Sequence, residues 1–291
     1  MPKEINKTSS DNDSEWTEII LPRSSYLSLK LSDLWRYRDL IMLFVRRDIV
    51  AIYKQTILGP LWHIIQPILT TFVFTVVFGN IAKLSTDGLP PALFYLTGVV
   101  AWQYFSTCII KTSSTFIGNA QIFGKVYFPR LTVPISVVIS SLLTFIIQFL
   151  LLLIFILYFH LQGYNIKITY DALLLPLSII IMAMLGMGFG IIISSLTTKY
   201  RDLQFLVNFG VQLFMYATPV IWPISSIPDK WKTWALLNPM APVIESFRAG
   251  FLGSGSFTYW QLTYSLLFAV FTCFIGIILF NRIEKNFMDT V

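Results

Sequence analysis

Six predominantly apolar runs punctuate the chain, at about 61–82, 92–113, 132–158, 172–196, 203–222 and 259–281. A helix rises about 1.5 Å per residue and must cross a hydrocarbon core about 30 Å thick, so runs of about 20 residues predict membrane-spanning helices. Inside that core the backbone has no water to bond to, which leaves the helix as the conformation available to each run. The expected fold is all-α and integral to a membrane, with six transmembrane helices in a domain covering 59–291. An even number of crossings puts both termini on one side.

Two stretches break this rhythm. Before the first run, Ser32 to Lys54 repeats apolar residues at helical spacing, with Leu34, Ile41, Val45 and Ile52 flanked by Tyr37, Phe44 and Ile49. Arg36, Asp39, Arg46, Arg47 and Lys54 fall on the opposite arc, and Ser32 suits an N-cap. This predicts an amphipathic interface helix over about 32–58, either a simple membrane anchor or a helix whose polar face also docks a cytosolic partner. Between runs five and six, Pro223 to Thr258 is too apolar for a hydrated loop and, with four prolines, too broken for a span. Short re-entrant helices fit it, since irregular backbone at membrane depth survives only where protein or a watery cavity covers it. Glu245 and Arg248 stand i,i+3 there, as a local structural pair or as a gate contact.

Composition supports the membrane reading. Of 291 residues, 55% are hydrophobic and only 12% charged, with mean hydropathy +0.70. Soluble domains carry roughly 25% charged residues, so this chain lacks the material for a polar skin. The net charge of +6 would suggest nucleic acid only if its charges were clustered on one face. Instead, sixteen Lys and Arg fall in the segments on one side of the predicted spans and five on the other. That asymmetry expects both termini in the cytoplasm and no nucleic-acid partner. Residues 1–31 form a polar tail without the basic start and apolar run of a secretory signal, so a cytosolic, partly disordered tail is expected. Cys108 and Cys273 both lie within apolar runs and read as small fillers. In the fourth run, Gly186, Gly188 and Gly190 form GMGFG inside an apolar helix, where Gly186 and Gly190 predict close helix contact.

Catalytic chemistry is largely missing from the pattern. The single Gly-Lys, Gly124-Lys125, has neither the following Ser/Thr nor the upstream glycine of a phosphate loop. Asp11 and Asp13 make one D-x-D in the polar tail, and His63 and His160 have no acid beside them, so no metal site and no catalytic residue is expected. The middles of all six runs contain no Asp, Glu, Lys, Arg or His, the residues that mark ion-coupled transport. A chain that moves cargo with neither an ATP engine nor an ion relay needs another subunit to supply energy. That subunit would push on the interface helix and on Asn119–Arg130, NAQIFGKVYFPR, whose aromatic and basic residues suit either a protein cleft or an interfacial aromatic belt.

With those residues in view, the chain resembles the permease subunit of ABC exporters for O-antigen and related cell-surface polysaccharides. The likeness rests on YKQTILGPLWHIIQPILTTFVFTVVFG (Tyr53–Gly79), LFYLTGVVAWQYF (Leu93–Phe105), NAQIFGKVYFPR, YRDL (Tyr200–Leu203), TPVIWP (Thr218–Pro223) and LNPMAPVIESFRAGFLG (Leu237–Gly253). It runs from about residue 32 to the end, each piece weak alone and the set specific.

The resemblance implies a homodimer in the bacterial inner membrane, each copy paired with a separate ATPase chain that holds the ATP and magnesium. The implied cargo is an undecaprenyl-diphosphate-linked polysaccharide moving from cytosol to periplasm between the two copies. The loop after span two would couple to the ATPase through Gln121, Phe123, Lys125, Tyr127 and Arg130, together with Arg46 and Arg47. Short helices after span five would shape a periplasmic gate, with Trp231, Trp234, Glu245, Phe247 and Arg248 as candidates. Aromatic faces stack on sugar rings, so Phe74, Tyr95, Trp102, Phe105, Tyr216 and Trp222 are path candidates, each open also to ordinary packing. Teichoic-acid export, with a cargo on the same lipid, is the nearest rival. A small-molecule exporter permease and a membrane glycosyl- or polyprenyl-transferase stand further off, the transferase for want of clustered acids.

Overall fold

A computed structural model describes residues 31–54, 58–126, 128–197, 200 and 202–286. All regular structure among these residues is helical. The elements are α1 (Leu31–Arg36), α2 (Arg38–Lys54), α3 (Trp62–Phe74), α4 (Pro91–Ser113), α5 (Thr115–Gly118), α6 (Ala120–Phe123) and α7 (Thr132–Leu161). They continue with α8 (Leu175–Thr197), α9 (Leu203–Tyr216), α10 (Asp229–Leu236), α11 (Met240–Leu252) and α12 (Tyr259–Asn286). Five segments are long and apolar enough to cross a membrane: Gly59–Ile81, Pro91–Ser113, Thr132–Leu161, Tyr170–Thr197 and Tyr259–Ile283. The run expected at 203–222 is instead the 14-residue helix α9. At about 1.5 Å per residue α9 covers about 21 Å, and the turns after it carry the run from the end of the bundle where Thr197 meets Ser113 on to Val220 against Gly98 of α4, so the run passes toward the opposite end without a helix of full spanning length. The chain leaves it in turns through Ala217–Val220, where the run holds Pro219 ahead of Pro223.

The centre of the protomer is α4, buried almost throughout between α8, α7 and α11. The GMGFG glycines set its distance from α8. A Cβ on Gly186 would lie 2.5 Å from the Cys108 Cβ and 3.1 Å from the Phe105 carbonyl. One on Gly190 would lie 2.6 Å from the Thr112 Cβ. Gly188, on the other side of α8, does the same for α12, where a Cβ would meet the Cys273 amide nitrogen at 2.9 Å. The expected small-residue contact is therefore two-sided, joining α4, α8 and α12 into one slab. Both cysteines are free and buried against it, and the Cys273 thiol donates to the Met184 carbonyl at 2.9 Å.

Helix α11 is buried along its whole length. Its charged residues are paired locally, with the Arg248 Nε left without a hydrogen-bond partner: Arg248 Nη1 donates to Glu245 Oε1 at 3.2 Å, and both side chains are 1% exposed. Arg248 Nη2 donates to the Val220 carbonyl at 2.8 Å, and the guanidinium sits 3.6 Å from the centre of the Phe94 ring. Glu245 Oε2 accepts the Ser256 amide at 2.9 Å. One ion pair thus ties α11 to α4, to the turn after α9 and to the loop before α12. Gly98 leaves room for it, since a Cβ there would lie 3.1 Å from Arg248 Nη2. Burial lowers the Arg248 pKa to about 10, with Glu245 acting the other way, so the guanidinium remains charged at neutral pH. The end of α11 is closed by Gly253, whose φ of +69° suits a residue without Cβ.

Helix α2 departs from a simple membrane anchor. Phe44 and Val45 are buried by protein, packed with the 114–131 segment and the start of α7, and Tyr37 and Leu40 flank them. Trp35, Met42, Leu43 and Val50 remain exposed.

Two stability tests follow. Gly186→Ala should lower the detergent-solubilised protein's melting temperature, at a cost of about 1–3 kcal/mol for overpacking. Adding Cys108→Gly should recover part of that loss if the two positions touch as described. Arg248→Met should cost about 3–5 kcal/mol by stranding the Glu245 carboxylate, and Glu245→Gln added to it should restore much of the stability.

Candidate functional site

Of the residues expected to couple to an ATPase, Arg47, Phe123 and Arg130 come together around one aromatic cluster at one end of the chain. Phe116 stacks on Phe280 with centroids 4.5 Å apart, Phe123 packs against Phe116 and Phe128, and Phe128 lies 5.6 Å from Phe44. This aromatic cluster joins α2, the α5–α6 segment and the end of α12. Two arginines lie over it: Arg47 is 4.8 Å from the Phe44 centroid and Arg130 is 5.3 Å from that of Phe123. Arg47 also pairs with Asp48 at 2.8 Å, and Arg130 is buried. Arg46, Gln121 and Lys125 point outward. Tyr127 lies outside the described residues.

The expected residues therefore divide by role. Phe123 and Arg130 hold the loop to the body, whereas Gln121 and Lys125 are the surface it presents, with Val126 60% exposed beside them. Sequence reasoning did not single out Phe116, Phe128 or Phe280. Each sits near the end of an apolar run, where a cluster phenylalanine and a lipid-facing one look alike.

Four of the six path candidates are interior. Phe74, Tyr95, Trp102 and Phe105 are buried within the protomer and pack edge to face in two pairs, Phe74 with Tyr95 and Trp102 with Phe105. Ordinary packing accounts for them in this arrangement. Tyr216 is exposed at the end of α9, and Trp222 is half-buried with its indole N–H donating to the Tyr216 carbonyl at 3.1 Å. Phe205, Phe209 and Phe214 are further exposed aromatics along α9, a helix with no buried residue. An apolar cleft of about 450 Å³ separates α9 from α4 and α8, lined by Phe105, Phe189, Val211 and Phe214 among others.

The gate candidates divide too. Glu245, Phe247 and Arg248 are buried in α11, where the pair serves packing of the helix. Trp231 and Trp234 stand exposed on one face of α10, at 60% and 69%. Asn238 follows α10 and fastens it, donating to the Thr218 hydroxyl at 2.9 Å and accepting the Met240 amide at 3.0 Å.

Comparison with known proteins gives this geometry a family. The model of the ABC-2 type transporter family matches residues 39–252. The O-antigen export system permease protein RfbA of Klebsiella pneumoniae is 28% identical over 265 residues, 90% of this chain and 99% of that protein. RfbA of Myxococcus xanthus is 28% identical over 75% of this chain and 82% of its own length. The polysialic acid transport protein KpsM of Escherichia coli is 24% identical over 84% of this chain and 93% of its own. The matched region begins in α2 and ends with α11, taking in the α4–α8 glycine contact, the buried ion pair and every member of the aromatic cluster but Phe280, and the chain belongs to the ABC-2 type transporter membrane family.

Proposed function

We propose that this chain is the permease subunit of an ATP-driven polysaccharide exporter, carrying a glycan on undecaprenyl diphosphate across the bacterial inner membrane between two copies of itself. The observation that carries the reading is the inner aromatic cluster. It fastens the 114–131 segment to α2 and α12 while leaving Gln121, Lys125 and Val126 outward. A partner that moves this segment moves the helices attached to it. The chain's lack of a phosphate loop assigns ATP and magnesium to that partner.

Family membership and the relatives' names support the cargo class: those names are of O-antigen, polysialic acid and capsule polysaccharide export proteins. They favour polysaccharide over a polyol-phosphate cargo or a small molecule. The Lys and Arg asymmetry supports cytoplasmic termini, which places the cluster on the ATPase side. Both α10 and α11 then lie toward the periplasm as re-entrant elements, α11 as a fixed wedge and α10 as the exposed aromatic rim. Exchange between two copies needs mobile surfaces, and α9 together with the outer faces of α3 supplies them.

Co-expression with the ATPase encoded beside it tests this. The two chains should co-purify with ATPase activity, and Lys125→Glu should reduce glycan export at least about tenfold while the permease keeps its melting temperature. Phe128→Ala should instead loosen the fold itself, by about 3–5 kcal/mol. No associated ATPase, or full export by the Lys125→Glu variant, would refute the coupling assignment.

A further inference from the structure

From Leu93 to Ser113 every residue of α4 is buried except Gln103, Thr107, Ile110 and Lys111. Three of these four are polar, in a helix otherwise suited to the interior. Their spacing makes them one stripe, and at 100° per residue it lies between the side of α4 that meets α3 through Tyr95 and the side that meets α7 through Tyr104. So α4 is open along one narrow seam, and that seam is hydrophilic.

The facing flank of α3 is polar at the same level. Gly79 stands against Pro91, and Phe74 against Tyr95, so the two helices run antiparallel. Continued down both helices, that register brings His63 near the level of Thr107 and Gln66 near that of Gln103. The Lys111 ammonium is close enough to act electrostatically on the His63 imidazole. Lys111 and Gln66 are exposed and His63 is half-buried. Among the described residues none of the three has a side-chain hydrogen bond or ion pair. The two carboxylates of α2 are taken up by its own arginines: Asp48 pairs with Arg47, and Asp39 lies beside Arg38.

An ammonium without a counter-charge and a free amide turned toward acyl chains are both costly. Both costs vanish if the seam is filled by an anion that also accepts hydrogen bonds. We propose that the α3–α4 seam binds the diphosphate of a polyprenyl lipid, with Lys111 and His63 on phosphate oxygens and Gln66, Gln103 and Thr107 completing the hydrogen bonds. The inference rests on the exporter reading above, in which this end of α4 faces the cytosol and the ligand is the head of the loaded cargo lipid. A seam that admits a lipid from the side has its charged mouth at the headgroup level and its neutral polar residues deeper, as here.

The test uses the full chain co-purified with its ATPase in phosphatidylcholine nanodiscs and radiolabelled farnesyl diphosphate as ligand. The wild-type complex should retain it, Lys111→Gln should weaken retention about tenfold by removing one charge-assisted contact, and Lys111→Arg should restore it. His63→Gln should weaken it in the same direction, and both variants should still assemble with the ATPase. Excess farnesol or phosphatidylglycerol should leave retention intact. Equal competition by phosphatidylglycerol overturns the proposal, because the seam would then take any anionic lipid of the bilayer. Unchanged retention in both variants overturns it too. A complex that hydrolyses ATP but holds no farnesyl diphosphate refutes the seam and leaves the exporter reading standing, whereas a chain that binds no ATPase refutes that reading itself.

Discussion

The buried Glu245–Arg248 pair is the constraint on which the half of this chain around α11 depends. Taking two charges out of water is costly, and their attraction repays it only when the remaining donors and acceptors are also met. Here the guanidinium reaches Glu245, the Val220 carbonyl and the face of Phe94, while the carboxylate holds the Ser256 amide. Those partners come from four separate parts of the chain. A hydrophobic pair of similar volume would fill the space without specifying which segments meet. The ion pair specifies them, and so a short helix with four prolines near it acquires one position rather than several.

Around that anchor the protomer is unevenly built. Glycine contacts draw α4, α8 and α12 together until backbone nearly touches side chain, and interfaces that close have little freedom to slide. By contrast α3 carries Pro67 inside it, runs into a π-helical stretch at Thr75–Ile81 and buries little of its surface, while α9 has no buried residue at all. Proline removes a backbone hydrogen bond and the wider π turn loosens the ladder, so α3 has two places to bend. The chain thus divides into a rigid slab and two loosely held helices flanking it.

The two ends are joined through the same slab. At the inner end the aromatic cluster grips the α5–α6 segment between α2 and Phe280 of α12. At the outer end the ion pair grips the turn after α9 through Val220. Because α12 packs on α8 and α8 on α4, the aromatic cluster and the ion pair are joined by bodies in contact rather than by a flexible loop.

Much of this was legible in the chain alone, for a physical reason. Hydrocarbon thickness imposes a length on apolar runs, so five of the six runs expected as spans, the break between the fifth and the sixth, and helix within the 32–58 amphipathic stretch could be read by counting. GMGFG in an apolar helix foretold close contact, and i,i+3 spacing foretold the Glu245–Arg248 pair, since both are local. What spacing could not reveal is where a helix face goes once other helices arrive. Only the tertiary structure showed that Phe44 and Val45 turn to protein, that Phe74, Tyr95, Trp102 and Phe105 are core, and that the helix of the fifth run ends at Tyr216. Apolar side chains look the same in sequence whether lipid or protein covers them, because in a membrane both are equally apolar surroundings. The polar stripe of α4 was hidden likewise: Gln103, Thr107 and Lys111 became a seam only when everything else on that helix was seen to be covered.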